Sequence, residues 1–435
     1  LSSALLTVGL LLPSGVSAVV PGVNSLASVS SSGIQGNDDS TSSGSSVSGD
    51  GRYTTFYSSA SNLVSGDTNG RNDVFVRDST AGTTSLVSVS STGVQSNASS
   101  IDPAMSYDGR YVVFVSNATN LVSGVTDGNL HIYLHDMGTG STSVVDTAAG
   151  GTLGNGQSDY PDVSADGRFV VFQSTASNLV SGSSGGRSQI YAKDTSTGSI
   201  DELSVGSGGS EGNDSSMTPR ISCDGGVVAF QSRASNLVSG DTNGYSDVFV
   251  DSLGWSGNNL ADVTLSGNST SQNPDVSCNG NVIVYDTNAN NIVAGLPSGS
   301  QSVLEYNRLS SSTSIASANS SGAAATGISL MPSVSDDGRY VAFLSNATTG
   351  LDATRSYDIF GNQQQTYIKD MKTGLTQVLS IDVAGNGTSG SVDALSISSD
   401  GSIVAYDSVA EGPTRGLVAS DGNGHQDVFM SETGL

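Results

Sequence analysis

Cations are what this sequence lacks most: 15 Lys and Arg stand against 40 Asp and Glu among 435 residues, a formal charge of −25. Such a chain is repelled by phosphate backbones and anionic lipid, which excludes nucleic acid and the inner membrane leaflet as partners. Histidine is nearly missing as well. Of the three, His131 and His135 lie four residues apart on one strand, ~13 Å and too far to share a metal ion, and His425 fills a variable loop position. There is no His-Glu-x-x-His and no phosphate loop, and the Gly-x-Ser-x-Gly strings at 182–186 and 208–212 fall in Gly- and Ser-rich turns rather than in a strand-to-helix elbow, so the common hydrolase and nucleotide signatures are excluded. Hydrophobic residues make up only 35%, and they fall in short Val, Ile, Phe and Tyr runs between Gly, Ser, Asn and Asp clusters. That is the pattern of an all-β chain with many turns.

What is present is a repeat. Asp-Gly dipeptides recur at Asp50, Asp108, Asp166 and Asp224, each 58 residues after the last, and the phase continues at Asn279, Asp337 and Asp400. GRYTTF, GRYVVF, GRFVVF, GGVVAF, GNVIVY, GRYVAF and GSIVAY follow, seven copies of a turn leading into a β-branched, aromatic-ended strand. Within the second copy, Pro103–Ser106, Arg110–Ser116, His131–Asp136 and Thr142–Asp146 read as four strands, with a long loop between the second and third. Four antiparallel strands repeated seven times predict a seven-bladed β-propeller. The seventh unit is one strand short, and Asn24–Asn37 matches Thr84–Asn97, the fourth strand and outgoing loop of unit one. The N-terminal strand, Ser25–Ser30, is therefore expected to complete blade seven and close the ring. Residues 23–435 read as one propeller, and residues 1–22 as an apolar arm or signal-peptide remnant. Phe56, Phe114, Phe172, Phe230, Tyr285, Phe343 and Tyr406 share one phase and are expected in the core.

The units P-x-V-S-x-D-G-R-Y-V-A-F and S-N-L-V-S-G-D-T-N-G-x-x-D-V-F-V resemble the WD-like repeat of TolB-type β-propellers from Asn24 onward. Members of that family are periplasmic or extracellular scaffolds and accessory domains of peptidases or lyases. The resemblance implies a binding or structural role and does not choose a ligand.

Several repeated polar positions are candidates for particular chemistry. Arg52, Arg110, Arg168 and Arg339 open second strands at the end where Asp78, Asp136, Asp194 and Asp370 finish third strands, so cross-strand ion pairs are expected. The units without the Arg have Gly226, Asn281 and Ser402 there, opposite Ser252, Asn307 and Glu432. The loop D-T-N-G-x-x-D repeats Asp67, Asn69, Asp73 in unit one, Asp241, Asn243, Asp247 in unit four and Asp421, Asn423, Asp427 in unit seven. Oxygen ligands at this spacing suit Ca²⁺, whereas Asx turns account for the same residues without an ion. Both readings stand, and no cofactor is required. His131 falls at the phase of Asp73 and reads as a loop residue that has drifted. Cys223 and Cys278 share a phase in adjacent units; equivalent inner-strand sites stand ~6 to 7 Å apart, at the upper limit of disulfide reach, and export favours their oxidation.

Leu1–Val20 is the one strongly apolar stretch. It resembles a signal-peptide core with a cleavage site after Ala18, and Pro13-Ser-Gly breaks it short of the ~20 residues a membrane span needs. Retained, its Leu5, Leu6, Val8, Leu10, Leu11 and Leu12 would bury themselves on a neighbouring subunit. The expectation is a secreted or cell-surface scaffold, not an enzyme, that assembles with itself or a surface protein into a filament or coat. The alternative is a monomeric periplasmic or extracellular module that binds a protein or glycan. A lyase or glycosidase pocket in the central channel is the remaining enzymatic reading.

Overall fold

The computed structural model describes residues 23–253, 260–264, 267–347, 351–352, 364–382, 392–409, 416–419 and 421–435. The candidate assembly residues of the apolar arm lie outside them. Seven four-stranded antiparallel sheets form the ring. Blade two runs outward from the axis as Ser100–Met105, Tyr111–Ser116, His131–Asp136 and Ser141–Val144. Its innermost strand begins three residues before the expected Pro103. The residues that hid it, Asp102 and Pro103, form a β-bulge in which two residues oppose one on the neighbouring strand. Proline fits there because a bulge needs no ladder amide from it.

Blade seven is closed by Val23–Leu26 paired with Asp427–Glu432, in the register Ser25↔Met430 and Leu26↔Phe429, with the Ala27 amide donating to the Val428 carbonyl at 2.8 Å. The strand starts two residues earlier than expected. Ser28 to Ser30 have already turned into a small hairpin bridged at Val29 and Gln35.

All seven aromatics at the shared phase are fully buried. In six blades each stacks on an aromatic of the third strand, as Phe56 does on Phe75 at 5.7 Å between ring centres and Phe114 on Tyr133 at 5.6 Å. The apolar clusters are shared between neighbours: Val113 and Ile132 of blade two pack with Val170, Phe172 and Tyr191 of blade three. Each such aromatic contributes about 2 to 3 kcal/mol of burial, and only a closed ring buries both faces of every blade.

The Asp-Gly turns set how close the blades come. Gly109 has φ +72°, and a β-carbon on it would strike the Tyr53 ring of blade one. Alanine is therefore excluded twice, by backbone conformation and by space. On this turn side Arg52 grips Asp78 through Nε at 2.9 Å and Nη2 at 2.6 Å, and lies over the Tyr53 ring. Arg110–Asp136, Arg168–Asp194 and Arg339–Asp370 repeat the pair. Blade four, which lacks it, is served from blade five: Arg308 Nη2 donates to Ser252 Oγ at 2.6 Å. Cys223 and Cys278 form a disulfide with a Cα separation of 4.5 Å, closer than equivalent inner-strand sites were expected to stand. The reason is that the backbones just before the turns hydrogen-bond from blade to blade, Cys223 N to Cys278 O at 3.1 Å and Ala165 N to Cys223 O at 2.9 Å.

Ala27→Pro removes the amide that holds Val428 at the ring closure. It should lower stability by about 3 kcal/mol or more, read as a fall in the urea midpoint.

Candidate functional site

The side opposite the turns carries the long loops, and each loop ends on a buried polar node. In blade one Asp73, the first residue of the third strand, is fully buried. Its oxygens accept Ser88 Oγ at 2.6 Å, Asn69 Nδ2 at 2.7 Å and Gln95 Nε2 at 2.9 Å. The same Gln95 amide donates to Asp67 at 2.8 Å. Asn69 Oδ1 accepts the Arg71 amide, closing an Asx turn. Blade seven repeats this with Gln35 between Asp421 and Asp427, and Asn423 bonded to Asp427 and His425 N. A glutamine amide from the chain entering the next blade thus occupies the position a cation would take between the two carboxylates. Blades one and seven are held by neutral donors, and blade four, with Asp241, Asn243 and Asp247, has no such glutamine among the described residues.

His131 is the blade-two counterpart of Asp73 and belongs to the strand rather than the loop. It is fully buried, with Nδ1 2.8 Å from Asp146 and Nε2 3.0 Å from Asp127. Burial opposes its charge, yet the two carboxylates hold its pKa above the ordinary histidine value. His135 lies on the same strand against Thr142, so the two histidines serve separate contacts.

The innermost strands line a central channel whose loop-side half opens as a funnel of about 200 Å³. Its wall carries Asp102, Tyr160, Thr218, Asn273 and Met331, one from each of blades two to six. All five have φ between +47° and +51°, and a proline follows each one. The left-handed conformation is costly for residues with a β-carbon, and five in a row are held in it by the bulge. Tyr160 and Met331 are exposed at the mouth. Deeper in the funnel, Arg220 reaches from blade four to the opposite wall, where a side chain at Gly44 of blade one would collide with its guanidinium. Its Nη1 donates to the Pro219 carbonyl at 3.1 Å. It is the one cation among the described residues of the wall.

Two carboxylates below are committed to the ring. Asp162 accepts the Val163 amide at 3.0 Å and, across the blade boundary, the Ile221 amide at 2.9 Å. Asp275 accepts Val276 N and Val334 N, each at 2.9 Å, in the same way. Sequence reasoning missed this wall, Gln35, Gln95 and the role of His131. The x-Pro dipeptide at one phase of five units was the available signal for the wall; for the glutamines it was their identity at one position of the matching segments Asn24–Asn37 and Thr84–Asn97.

No protein-family model matches the chain, and no curated protein matches it in sequence. Among solved structures, the chain is similar to an oligogalacturonate lyase in complex with manganese, at 13% identity over 91% of this chain and 90% of that one, with a TM-score of 0.53. It is similar to the β-propeller domain of the Trilobed protease from Pyrococcus furiosus at 10% identity, over 91% and 96% of the two chains, with a TM-score of 0.53. TolB from Acinetobacter baumannii matches at 19% identity over 70% of this chain, which spans 58% of that chain, with a TM-score of 0.41. The likeness is one of fold. No helix of the described residues is long and apolar enough to cross a membrane.

Stability should pass through a maximum in mild acid. Burial and Glu211 push Glu202 up to about 7, and burial pushes Asp159 and Asp286 up to about 6. The folded chain therefore takes up protons that the unfolded chain does not, and stability rises as pH falls from above 7 toward about 5. Asp78, lowered to about 2 by its Arg52 hydrogen bond, has the opposite sign. Asp370 is also lowered to about 2: burial opposes the shift, but Arg339 and backbone amides outweigh it. Their contribution is lost as pH drops from about 4 through 2. Thermal melts in chelator across this range should give a higher Tm near pH 5 than at either end.

Proposed function

We propose that the chain is a non-enzymatic propeller module, working in an oxidising compartment outside the cytosol, that binds a segment of protein or glycan at the loop-side mouth of its channel. The observation that carries this is the divergence of one repeat position. Asp102, Tyr160, Thr218, Asn273 and Met331 share a strained backbone, yet no two are the same residue, and they range from a carboxylate to a thioether. Positions that only hold blades together, such as the turn Gly and the Arg–Asp pairs, repeat. A ring of unlike side chains around a funnel is what an asymmetric ligand requires, and strain kept in five successive blades is consistent with use.

Arg220 faces the carboxylates of Asp102, Asp162 and Asp275 but spends one N–H on a protein acceptor, so it keeps donors for an acidic group on that ligand, and exposed Tyr160 and Met331 supply apolar contact at the rim. The commitment of Asp162 and Asp275 to backbone amides supports binding over proton-transfer chemistry. The disulfide and the export-signal-like N-terminus support the compartment. The repeats shared with TolB-type propellers agree with a binding role. Peptide and glycan arrays probed with the full chain should return ligands carrying an acidic group, and Arg220→Met should weaken them at least tenfold. Because this variant removes the charge facing buried Asp162 and Asp275, its Tm should fall, and binding is compared at a temperature where circular dichroism shows both proteins folded. Ligands bound equally by this variant would refute the channel site.

A second reading, self-assembly into a filament or coat on the cell surface, draws support from the closing strand. Val23 pairs with Glu432 at the turn side, so the chain enters blade seven from the face opposite the funnel. An apolar arm attached there is suited to reach the next molecule, and such head-to-tail contact need not close. Leu10→Asp in the chain retaining residues 1–22 should convert a large species to monomer on size exclusion. A monomeric parent protein would refute this reading and leave the first.

A further inference from the structure

Blade four departs from the other loop nodes in a specific way. Its Thr264 takes the role of Ser88: it donates to Asp247 at 2.8 Å and accepts the Val248 amide, as Ser88 does with Asp73 and Val74. Asn268 likewise stands for Asn97, each with its amide bonded to the next blade's loop asparagine. Eight residues separate Ser88 from Asn97 and include the hairpin that delivers Gln95, but only three separate Thr264 from Asn268. The segment that carries the bridging glutamine in blade one has been shortened. At the same time Leu86, opposite Phe75, is matched by Asp262, opposite Phe249. A neutral donor has been exchanged for a third carboxylate.

One carboxylate oxygen from each of Asp241, Asp247 and Asp262 lies within 4.8 Å of the other two. Asp247 is fully buried and its oxygens are occupied by Thr264 and Asn243. Asp241 is only 7% exposed, and its Oδ1 is buried without a hydrogen-bond partner among the described residues, as is Asp262 Oδ2. Buried carboxylate oxygens left unpaired beside like charge are strongly unfavourable, and blades one and seven avoid this with a donor.

We propose that Asp241, Asp247 and Asp262 form a Ca²⁺ site that belongs to blade four and has no equivalent in blades one and seven. The donor set is all oxygen, which selects a hard cation. Ca²⁺ accepts about six to eight oxygens in flexible geometry, which three carboxylates from a loop and two strands can begin to supply, whereas Mg²⁺ demands a near-ideal octahedron and keeps most of its waters. The ion ties the loop through Asp241, the third strand through Asp247 and the two-residue outer strand, Ala261–Asp262, through Asp262. It replaces the bracing that the longer hairpin gives to blade one.

The full chain, freed of metal and titrated with CaCl₂ by calorimetry, should bind one equivalent, and its Tm should rise by several degrees. Asp262→Leu, the side chain that blade one carries here, should bind none and should melt at the same temperature with or without Ca²⁺. Asp241→Asn, which keeps the shape of the loop, should weaken binding at least tenfold, and Asp67→Asn in blade one should leave it unchanged. Failure of the parent protein to bind, uptake unaffected by Asp241→Asn, or loss of uptake in Asp67→Asn would overturn the proposal. Tighter binding of Mg²⁺ than of Ca²⁺ would overturn the choice of ion.

Discussion

The ring depends on a contact in which one partner has no side chain. The glycine of each Asp-Gly turn lies against the first side chain of the preceding blade's second strand: Gly109 on Tyr53, Gly167 on Tyr111, Gly225 on Phe169, and, across the closure, Gly51 on Ile403. A β-carbon would push each pair of blades apart at this side. Because it is absent, inner backbones approach to hydrogen-bond distance, Cys223 and Cys278 come within disulfide reach, and that end of the channel is narrow. The bulged ends of the same strands cannot pair in this way. The channel therefore opens toward the long loops, and the functional polarity of the molecule follows from where glycine is allowed.

What could be read from the sequence was whatever repeats within a unit. The Asp-Gly phase gave the blade number, the shared aromatic gave the core, and matching ends of two strands brought Arg52 to Asp78. What escaped notice joins one unit to another. Gln95 is 22 residues from Asp73 and lies on the way into the next blade; Gln35 matches it in sequence, but neither residue's neighbourhood says which carboxylate it meets. Asp262 was hidden for a related reason: its strand is two residues long, too short to show alternation. The innermost strands were only half visible, because a left-handed residue followed by proline looks like the end of a strand when it is in fact a bulge inside one.

The channel wall divides its work by depth. At the level of Asp162, Asp275 and Ser396, side chains cross a blade boundary and satisfy amides of the next inner strand, Ile221, Val334 and Ser46. These amides face the channel rather than a neighbouring strand, so they need an acceptor, and a short polar side chain from the next blade is the nearest source. Two residues nearer the mouth the bulge has turned the backbone, and the amides of Thr218, Asn273 and Met331 are taken by Gln173, Gln231 and Asp286 of the preceding blade. The Asn273 side chain donates to Asp286, but the ring makes no hydrogen bond to the other four side chains among the described residues. They are free to differ, and they do. Arg220 stands at the junction of the two levels, in the phase of Asp162 and Asp275, but as a donor it cannot take their role. Its charge instead offsets the buried carboxylates of Asp162 and Asp275, while most of its N–H groups stay turned to the channel, so one residue can serve both the wall and whatever enters it.

The shortage of cations shapes the loop side as much as it excludes phosphate partners. Four of the arginines are spent on the turn side, gripping aspartates. The buried carboxylates of the long loops must then be satisfied by other means, and the blades have found different ones. Blades one and seven use a glutamine amide. Blade two replaces Asp73 by His131 and sets it between two aspartates. Blade three moves the carboxylate to Glu211 and faces it with Ser184, whose amide donates at 3.0 Å, while Gln189 takes the place of Asp73. In each case a change at one position is answered at another, although the two belong to different segments of chain. Correlated exchange of this kind is the mark of a node under electrostatic constraint, because a loop needed only for its turn would tolerate each residue independently.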